Sequence, residues 1–442
     1  MNVQSASPTE LRIRPAISAP DGRLVNFFVK TGTYTGSCSP NPCTKSRLQS
    51  LRDNLGFQIK FEYETNTLSS STASAWGRVS KVRLINAAIE YCDPNADSCT
   101  LAQSWPLIQY SGLPATGYIY VTDPGGGQTR YTFQTGNSAE TRLAAIRRPG
   151  LTNNSITYSY YLVGTSLYML DTATSYGGTA RDYTWYGSYA PLTITGSSYS
   201  DALGRSYSAT VDYATGRITS ETDAFGGVTI YARDSLKRVT DVTYPEGNRD
   251  HYDYDARGNV LAKTSYPKPG AGLANIVVQA SYPGSCANPK TCNRPTSAID
   301  ANGNQTDFTY DPAHGGILTK TGPADSGGVR PQTRYEYAQY YAWMKNASGT
   351  YAQASNPVWK LARERYCRTT AASGSSCSGG SADEVVIDYI YDSGNASKGS
   401  NLVLKGVAVT ADGQTHRTCY GYDIWARKIS ETKPNANLSS CP

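Results

Sequence analysis

Residues 253–261 read Asp253-Tyr254-Asp255-Ala256-Arg257-Gly258-Asn259-Val260-Leu261. Three charged side chains within five positions look like a polar cluster with chemistry. The same spacing elsewhere points instead to a turn. Asp-x-x-Gly recurs at Asp53…Gly56, Asp123…Gly126, Asp201…Gly204, Asp223…Gly226, Asp255…Gly258 and Asp300…Gly303. The third place of the unit holds Arg257 here but Leu203, Phe225 or Asn302 elsewhere, so its charge is not required. An aspartate in the first place bonds backbone two residues on. Ala and the variable residue take the right-handed corner of a type I turn. Glycine takes the left-handed position that other residues enter at a cost.

Degenerate copies fill the gaps. They are Tyr213-Ala-Thr-Gly216-Arg217, Asp234-Ser-Leu-Lys237-Arg238 and Asp423-Ile-Trp-Ala426-Arg427. Turns beginning at 201, 213, 223, 234 and 255 give a period of about eleven, with Pro245-Glu246-Gly247-Asn248 inside the longest step. That period suits a strand of about six residues plus a turn. The flanks alternate as strands do, with Phe57, Ile59, Phe61 and Tyr63 on one face. Residues 334–345, R-Y-E-Y-A-Q-Y-Y-A-W-M-K, are expected as an aromatic strand. With 35 Tyr and few strong helix formers, the fold class is all-β, built of hairpins. Residues 1–165 form an irregular β region with cysteine-bearing loops. Residues 166–442 form the repeat sheet, with insertions near 325–358 and 370–383.

The ten cysteines fall as local pairs: Cys38/Cys43, Cys92/Cys99, Cys286/Cys292, Cys367/Cys377 and Cys419/Cys441. The intervening segments are turn-like, so each pair is expected to staple a loop, at about 2–3 kcal/mol each. An even count in such loops implies an oxidising compartment: secreted, extracellular or at the cell surface. Zinc would need a second pair close by. The three histidines, His251, His314 and His416, sit at no ligand spacing to a cysteine pair. The chain opens M-N-V-Q-S-A-S-P, without a basic start or apolar core, and no apolar run is long enough to span a bilayer. Disulfides without an export signal suggest an internal piece of a longer exported protein. Net charge is +6 over 442 residues with no basic stripe, so no nucleic-acid partner is expected.

These units resemble the YD repeats of RHS proteins, a bacterial family also represented in Tc toxin cocoon subunits and the teneurins. The resemblance is carried by Tyr254-Asp255-Ala-Arg-Gly258-Asn259, Tyr310-Asp311, Tyr391-Asp392 and Tyr422-Asp423, with Asp201-Ala-Leu-Gly204-Arg205 and Tyr213-Ala-Thr-Gly216-Arg217. It is strongest over about 195–320. It implies hairpins joined edge to edge into a spiralling shell, which in relatives encloses a toxic domain. Some relatives use the repeats for adhesion or carbohydrate binding. This chain is short for a closed cocoon and lacks the family's self-cleaving core segment and toxin domain. Asp311-Pro312-Ala-His-Gly-Gly is superficially like the cleavage motif but lies in phase with the repeat, and is read as a turn.

No nucleophile elbow, phosphate loop or zinc-protease motif is present. Gly125-Gly126-Gly127 lies between strands and is a hairpin turn. His251, between Asp250 and Asp253, is read as a surface histidine. No catalytic residue, metal ligand or cofactor is expected. Surface contact candidates are Tyr183, Trp185, Tyr186 and Tyr189, and a second group of Tyr337, Tyr340, Tyr341 and Trp343. The expected function is a non-enzymatic shell or scaffold segment of a secreted RHS-type protein. Its partners would be toxin cargo or further repeats of the same polypeptide. One alternative is a filament or adhesin that self-associates through free sheet edges or binds glycans. A carbohydrate-active enzyme is the remaining alternative.

Overall fold

The computed structural model describes residues 3–6, 10–13, 16–39, 41–135, 141–163, 167–175, 180–189 and 192–442. Among the described residues the chain is nearly all β, with 29 strands joined in a long antiparallel sheet. Consecutive strands pair with each other, as short turns between alternating segments require. Arg249–Tyr254 pairs Val260–Tyr266, for example, across the Asp255 turn. Residues 334–345 are strand as expected except at Tyr341 and Ala342, within Gln332–Tyr340 and Trp343–Lys345. Among the described residues no helix is long and apolar enough to cross a membrane.

Packing divides the chain into two compact units. One holds Met1–Ile108, Pro283–Ser297 and Gln305–Pro442; the other holds Gln109–Tyr282 and Ala298–Asn304. The boundary expected at 165/166 follows sequence regularity and does not coincide with this division. In the first unit, residues 1–108 are fastened to the C-terminal strands. Asn86 Nδ2 donates to the Ile424 carbonyl at 3.0 Å, and Asn401 Nδ2 to that of Leu55 at 2.6 Å. Trp425 Nε1 donates to Ser104 O at 3.1 Å. Two small apolar cores lie in this unit. Ile85, Cys92 and Trp105 pack with Trp425; Ala342, Ala354, Val358 and Leu402 pack with Leu55 and Met344.

The second unit is a run of hairpins with little apolar core among its described residues; Ala145 and Met169 are its buried hydrophobics. Neighbouring turns pack instead. Gly227, at the end of the Asp223 turn, faces Pro245 of the next hairpin on that side. A Cβ on Gly227 would lie 2.9 Å from the proline ring, so the position needs glycine.

The structure holds five disulfides: Cys38–Cys43, Cys92–Cys99, Cys286–Cys292, Cys367–Cys377 and Cys419–Cys441. Three of them depart from the expected role of a staple confined to a loop; one, Cys367–Cys377, starts from the last residue of the strand Val358–Cys367. Cys43 is buried and is the first residue of the strand Cys43–Asp53, where it pairs with Tyr34 of the preceding strand. Its bond to Cys38 therefore fixes the turn to the sheet itself. Cys441 lies beyond the strand Lys428–Thr432, and its partner Cys419 is buried inside the strand Gln414–Tyr422. That bond spans 22 positions and fastens the segment after the last strand back onto the sheet, so it closes no tight turn. Gly406, opposite Cys419 on the neighbouring strand, leaves room for it, since a Cβ there would run into Cys441 Sγ.

Two of the local loops are used further. The Cys286–Cys292 loop reaches the Asp311 turn, where Asn288 Nδ2 donates to Pro312 O at 2.9 Å and Lys290 Nζ donates to Ala313 O. The Cys92–Cys99 loop covers buried Lys60, whose ammonium donates to Pro94 O and Ala96 O. Burial pushes that lysine down to about 8.

Candidate functional site

The repeat unit is a hydrogen-bonded device, and its polar side chains are occupied in it. In the opening stretch Asp255 N donates to Asn259 O at 2.9 Å and Gly258 N to Asp255 O at 3.1 Å. Asp255 Oδ1 accepts from the Arg257 and Asn259 amides, each at 2.9 Å. Desolvation pushes this carboxyl up, but the Asn259 side-chain amide, and after it these two backbone donors, hold it below its usual range. Arg257 bonds back to Asp255 at 3.0 Å, so the charged cluster is the turn itself. Asp123, Asp201, Asp223 and Asp300 accept from the amides two and four positions on in the same way. Gly126, Gly204, Gly216, Gly226, Gly258 and Gly303 all have φ between +62° and +89°. Where the unit lacks glycine, Lys237 and Ala426 enter the same region, at +68° and +61°.

Two parts of the device escape sequence reading. One is the fifth residue. Arg205, Arg238, Asn259, Asn304 and Arg427 return to the second oxygen of their turn aspartate at 2.7–3.0 Å. The repeated Arg/Asn at that spacing is its signal. The other is the tyrosine before the aspartate. Its hydroxyl donates to a carbonyl 15 to 30 positions earlier, on or just before a neighbouring strand: Tyr254 to Val239 at 2.7 Å, Tyr310 to Pro295 at 2.8 Å, Tyr391 to Leu361 at 3.0 Å and Tyr422 to Leu404 at 2.7 Å. Arg238, Arg294 and Lys360 lie over the first three rings. A phenylalanine cannot make the hydroxyl bond, which accounts for tyrosine at this place. Burial pushes Tyr391 up to about 12. Asp325…Gly328, inside a segment expected as an insertion, forms the same turn.

The sheet brings some contact candidates together and commits others. Tyr183, Tyr199 and Tyr207 face one another in direct cross-strand register, with ring centroids 5.8 and 4.8 Å apart and the second pair stacked. Arg181 lies over Tyr199. A groove of about 390 Å³ runs beside Tyr199 and Tyr207, past Ala209 and Glu221. Glu221 accepts from Tyr231 Oη at 2.6 Å. Tyr186 is exposed and shares a hydrogen bond with Ser198. Trp185 Nε1 is committed to Leu170 O at 2.9 Å. The Tyr189 side chain lies outside the described ones. Tyr199 and Tyr207 were legible only through register, not through local sequence.

The second group is half-buried, and its rings pack in part against other side chains. Tyr337 packs on buried His314 with centroids 4.5 Å apart, and Tyr340 meets Tyr391 edge-on at 5.2 Å. Trp343 bridges Ser400 by backbone and lies against Gly394. Tyr341 is half-buried.

His251 pairs across the strands with Asp241 at 2.9 Å and approaches Asp253 at 3.4 Å. The Asp241 hydrogen bond raises its pKa, which favours a structural ion pair over a neutral base. Asp250, expected beside it, instead accepts from Ser265 and Tyr244 and pairs with Lys263. Among the described residues, one group lies within metal-ligand reach: Cys367, Cys377 and Asp383. Its sulfurs are bonded to each other. Asp383 is held at about 2, first by the Thr370 hydroxyl and also by Thr369 and both amides.

A sequence profile described as RHS Repeat matches residues 212–249 and 233–269. No curated protein matches the chain. Similar solved structures include TcdB2-TccC3 without its hypervariable C-terminal region, at 10% identity and TM-score 0.29, covering 92% of this chain and 26% of that one. The TcdB2-TccC3-Cdc42 structure gives 11%, 0.29, 96% and 27% in the same order. The Photorhabdus luminescens Tc holotoxin pore gives 10%, 0.29, 92% and 26%. The chain thus spans about a quarter of the length of those chains, and the superpositions are too loose to place any residue. Residues 212–269 thus carry RHS repeats, and the turns described above within that stretch are the turns of those repeats.

Proposed function

We propose that the chain is a non-enzymatic scaffold segment of a secreted or surface RHS-type protein, enclosing cargo or holding further repeats of the same polypeptide. The observation that carries this is the commitment of the repeat's polar groups. Turn aspartates, fifth-position arginines and asparagines, and the preceding tyrosines are used to hold the sheet. Five bonded cysteine pairs support an oxidising compartment. The test is to isolate the protein from its producing cell and map its cysteines without reduction. The scaffold reading expects these five pairs in the culture medium or at the cell surface. Free thiols in a cytosolic fraction would overturn it.

A second reading has one specific support. The stacked tyrosines beside the groove of the second unit resemble a platform for a sugar ring. Under it the scaffold would present a glycan-binding surface, and Tyr199→Ala would abolish retention on immobilised glycans.

A further inference from the structure

The repeat has its own way of holding a guanidinium, and at one turn the holder is present without it. Arg205, Arg238 and Arg427 each donate Nε to the second oxygen of their turn aspartate at 2.7–2.8 Å. Two of these groups also lie over a ring, Arg238 over Tyr254 at 4.6 Å and Arg427 over Trp425 at 4.0 Å. In the Asp223 turn the fifth residue is Gly227. Asp223 Oδ1 still accepts from the Phe225 and Gly227 amides, each at 2.8 Å. Its Oδ2 accepts from nothing among the described residues. Pro245 stands against Gly227, where a Cβ would lie 2.9 Å from the proline ring, so the turn cannot supply the missing side chain itself. Asp123 and Asp325 also lack a returning residue, having Gly127 and Val329 in the fifth place. Two positions before them stand Val121 and Pro323, whereas Glu221 stands two positions before Asp223.

Register assembles the rest of the holder. Ser197, Ala209, Glu221 and Thr229 are paired in one row across four strands. Tyr183, Tyr199 and Tyr207 form the neighbouring row, two residues along each strand and so on the same face. Ser208 pairs with Thr222, which sets Asp223 beside Tyr207. Both rows line the groove of about 390 Å³, where the small side chains of Ser197, Ala209 and Thr229 leave room between the tyrosines and the carboxylates. Tyr207 stacks on Tyr199, and among the described residues no other ring or cation lies against it. Glu221 and Asp223 are the charged residues of the lining. Neither pairs with a cation among the described residues. Glu221 accepts a hydrogen bond from Tyr231 at 2.6 Å. The arginines at this end of the sheet are placed elsewhere, Arg205 on Asp201 and Arg181 over Tyr199. The lining therefore carries two uncompensated negative charges beside a ring.

We propose that this groove binds an arginine side chain presented by another polypeptide, with the guanidinium over Tyr207 and bonded to Glu221 and Asp223. A planar fork of donors suits two separate carboxylates and places its face on a ring, which a compact ammonium does less well. The two negative charges favour this cation over a neutral sugar ring on the same tyrosines. That a polypeptide carries the arginine rests on the scaffold reading above; the recognition of a guanidinium does not.

The test is calorimetric titration of the full chain with an acetylated, amidated Gly-Arg-Gly tripeptide. Its lysine and citrulline counterparts, free arginine and glucose are the comparison probes. Citrulline keeps the shape and loses the charge, and should bind at least about tenfold more weakly, the ratio that one hydrogen bond to a charged group sustains. The lysine tripeptide should also bind more weakly, as should free arginine, whose own carboxylate meets the two acids. Glu221 is exposed, and Glu221→Gln keeps an acceptor for Tyr231, so this variant should fold and bind about threefold to fivefold more weakly, as loss of an exposed ion pair requires. Tyr207→Leu should weaken binding to a similar degree, while Tyr207→Phe, which keeps the ring, should retain it. Equal binding of the citrulline or lysine tripeptide, tighter binding of free arginine or glucose, or unchanged affinity in Glu221→Gln or Tyr207→Leu would each overturn the assignment. None of these ratios depends on the compartment in which the cysteines are oxidised, so they fail or hold separately from the scaffold reading.

Discussion

Gly258→Ala isolates the left-handed turn position from everything else. Gly258 has φ of +89°, and a Cβ there would meet only Arg238 Nη1, at an ordinary 3.9 Å. The cost is therefore conformational, about 1–2 kcal/mol. Alanine returns about 0.4–1 kcal/mol by restricting the unfolded chain. The net is about 1 kcal/mol, or roughly a fivefold shift in local opening. Gly22 is the steric counterpart. Its φ is +85°, and a Cβ would lie 2.6 Å from the Pro357 carbonyl, so backbone must move. Overpacking adds about 1–3 kcal/mol there. Amide hydrogen exchange followed by mass spectrometry reads each site locally, without assuming that 442 residues unfold in one step. Peptides covering 249–266 should exchange about fivefold faster in Gly258→Ala, and those covering 19–26 faster still in Gly22→Ala. Equal effects at the two sites, or none at Gly258, would refute the turn reading.

Tyr254→Phe removes only the hydroxyl that donates to Val239 O, and should cost about 1 kcal/mol by denaturant titration. Replacing Cys367 and Cys377 together by alanine should cost about 2–3 kcal/mol and release residues 368–376 to early proteolysis. The two histidines carry opposite pH signs. Burial lowers the His314 pKa, so its contribution is whole above its unfolded value, about 6.5, and is lost as pH falls from there toward the folded value. The Asp241 bond raises that of His251, so its contribution is whole below about 6.5 and is lost as pH rises through the folded value. His314→Gln should therefore flatten the acid limb of a stability–pH curve, and His251→Gln the neutral limb.

The fold was legible because turn chemistry is local. Asp255 and Gly258 bond within five residues, so their spacing alone reports the hairpin. Four of the cysteine pairs are local in the same sense, at separations of ten positions or fewer. What the spacing did not report is where each partner sits. Cys43 begins a strand, and Cys441 reaches back to the middle of one, so these bonds anchor the sheet as well as a loop. Everything that depends on register was equally hidden. Tyr199 and Tyr207 meet only because two strands align, and eight positions separate them in the chain. The link between Asn86 and Ile424 spans 338 positions, and no local pattern announces it. That Tyr337 packs on His314 and Tyr340 on Tyr391 was hidden too, because an aromatic run on a strand reads alike whatever it faces.

The central proposal is that these repeats enclose or support other polypeptide. Its most direct measurement is protease protection in the product of the complete reading frame that contains this chain. With the repeats folded, polypeptide flanking them should resist protease, and should become sensitive when reduction and denaturant open the sheet. Flanking polypeptide digested at the same rate with the repeats folded or unfolded would contradict the claim.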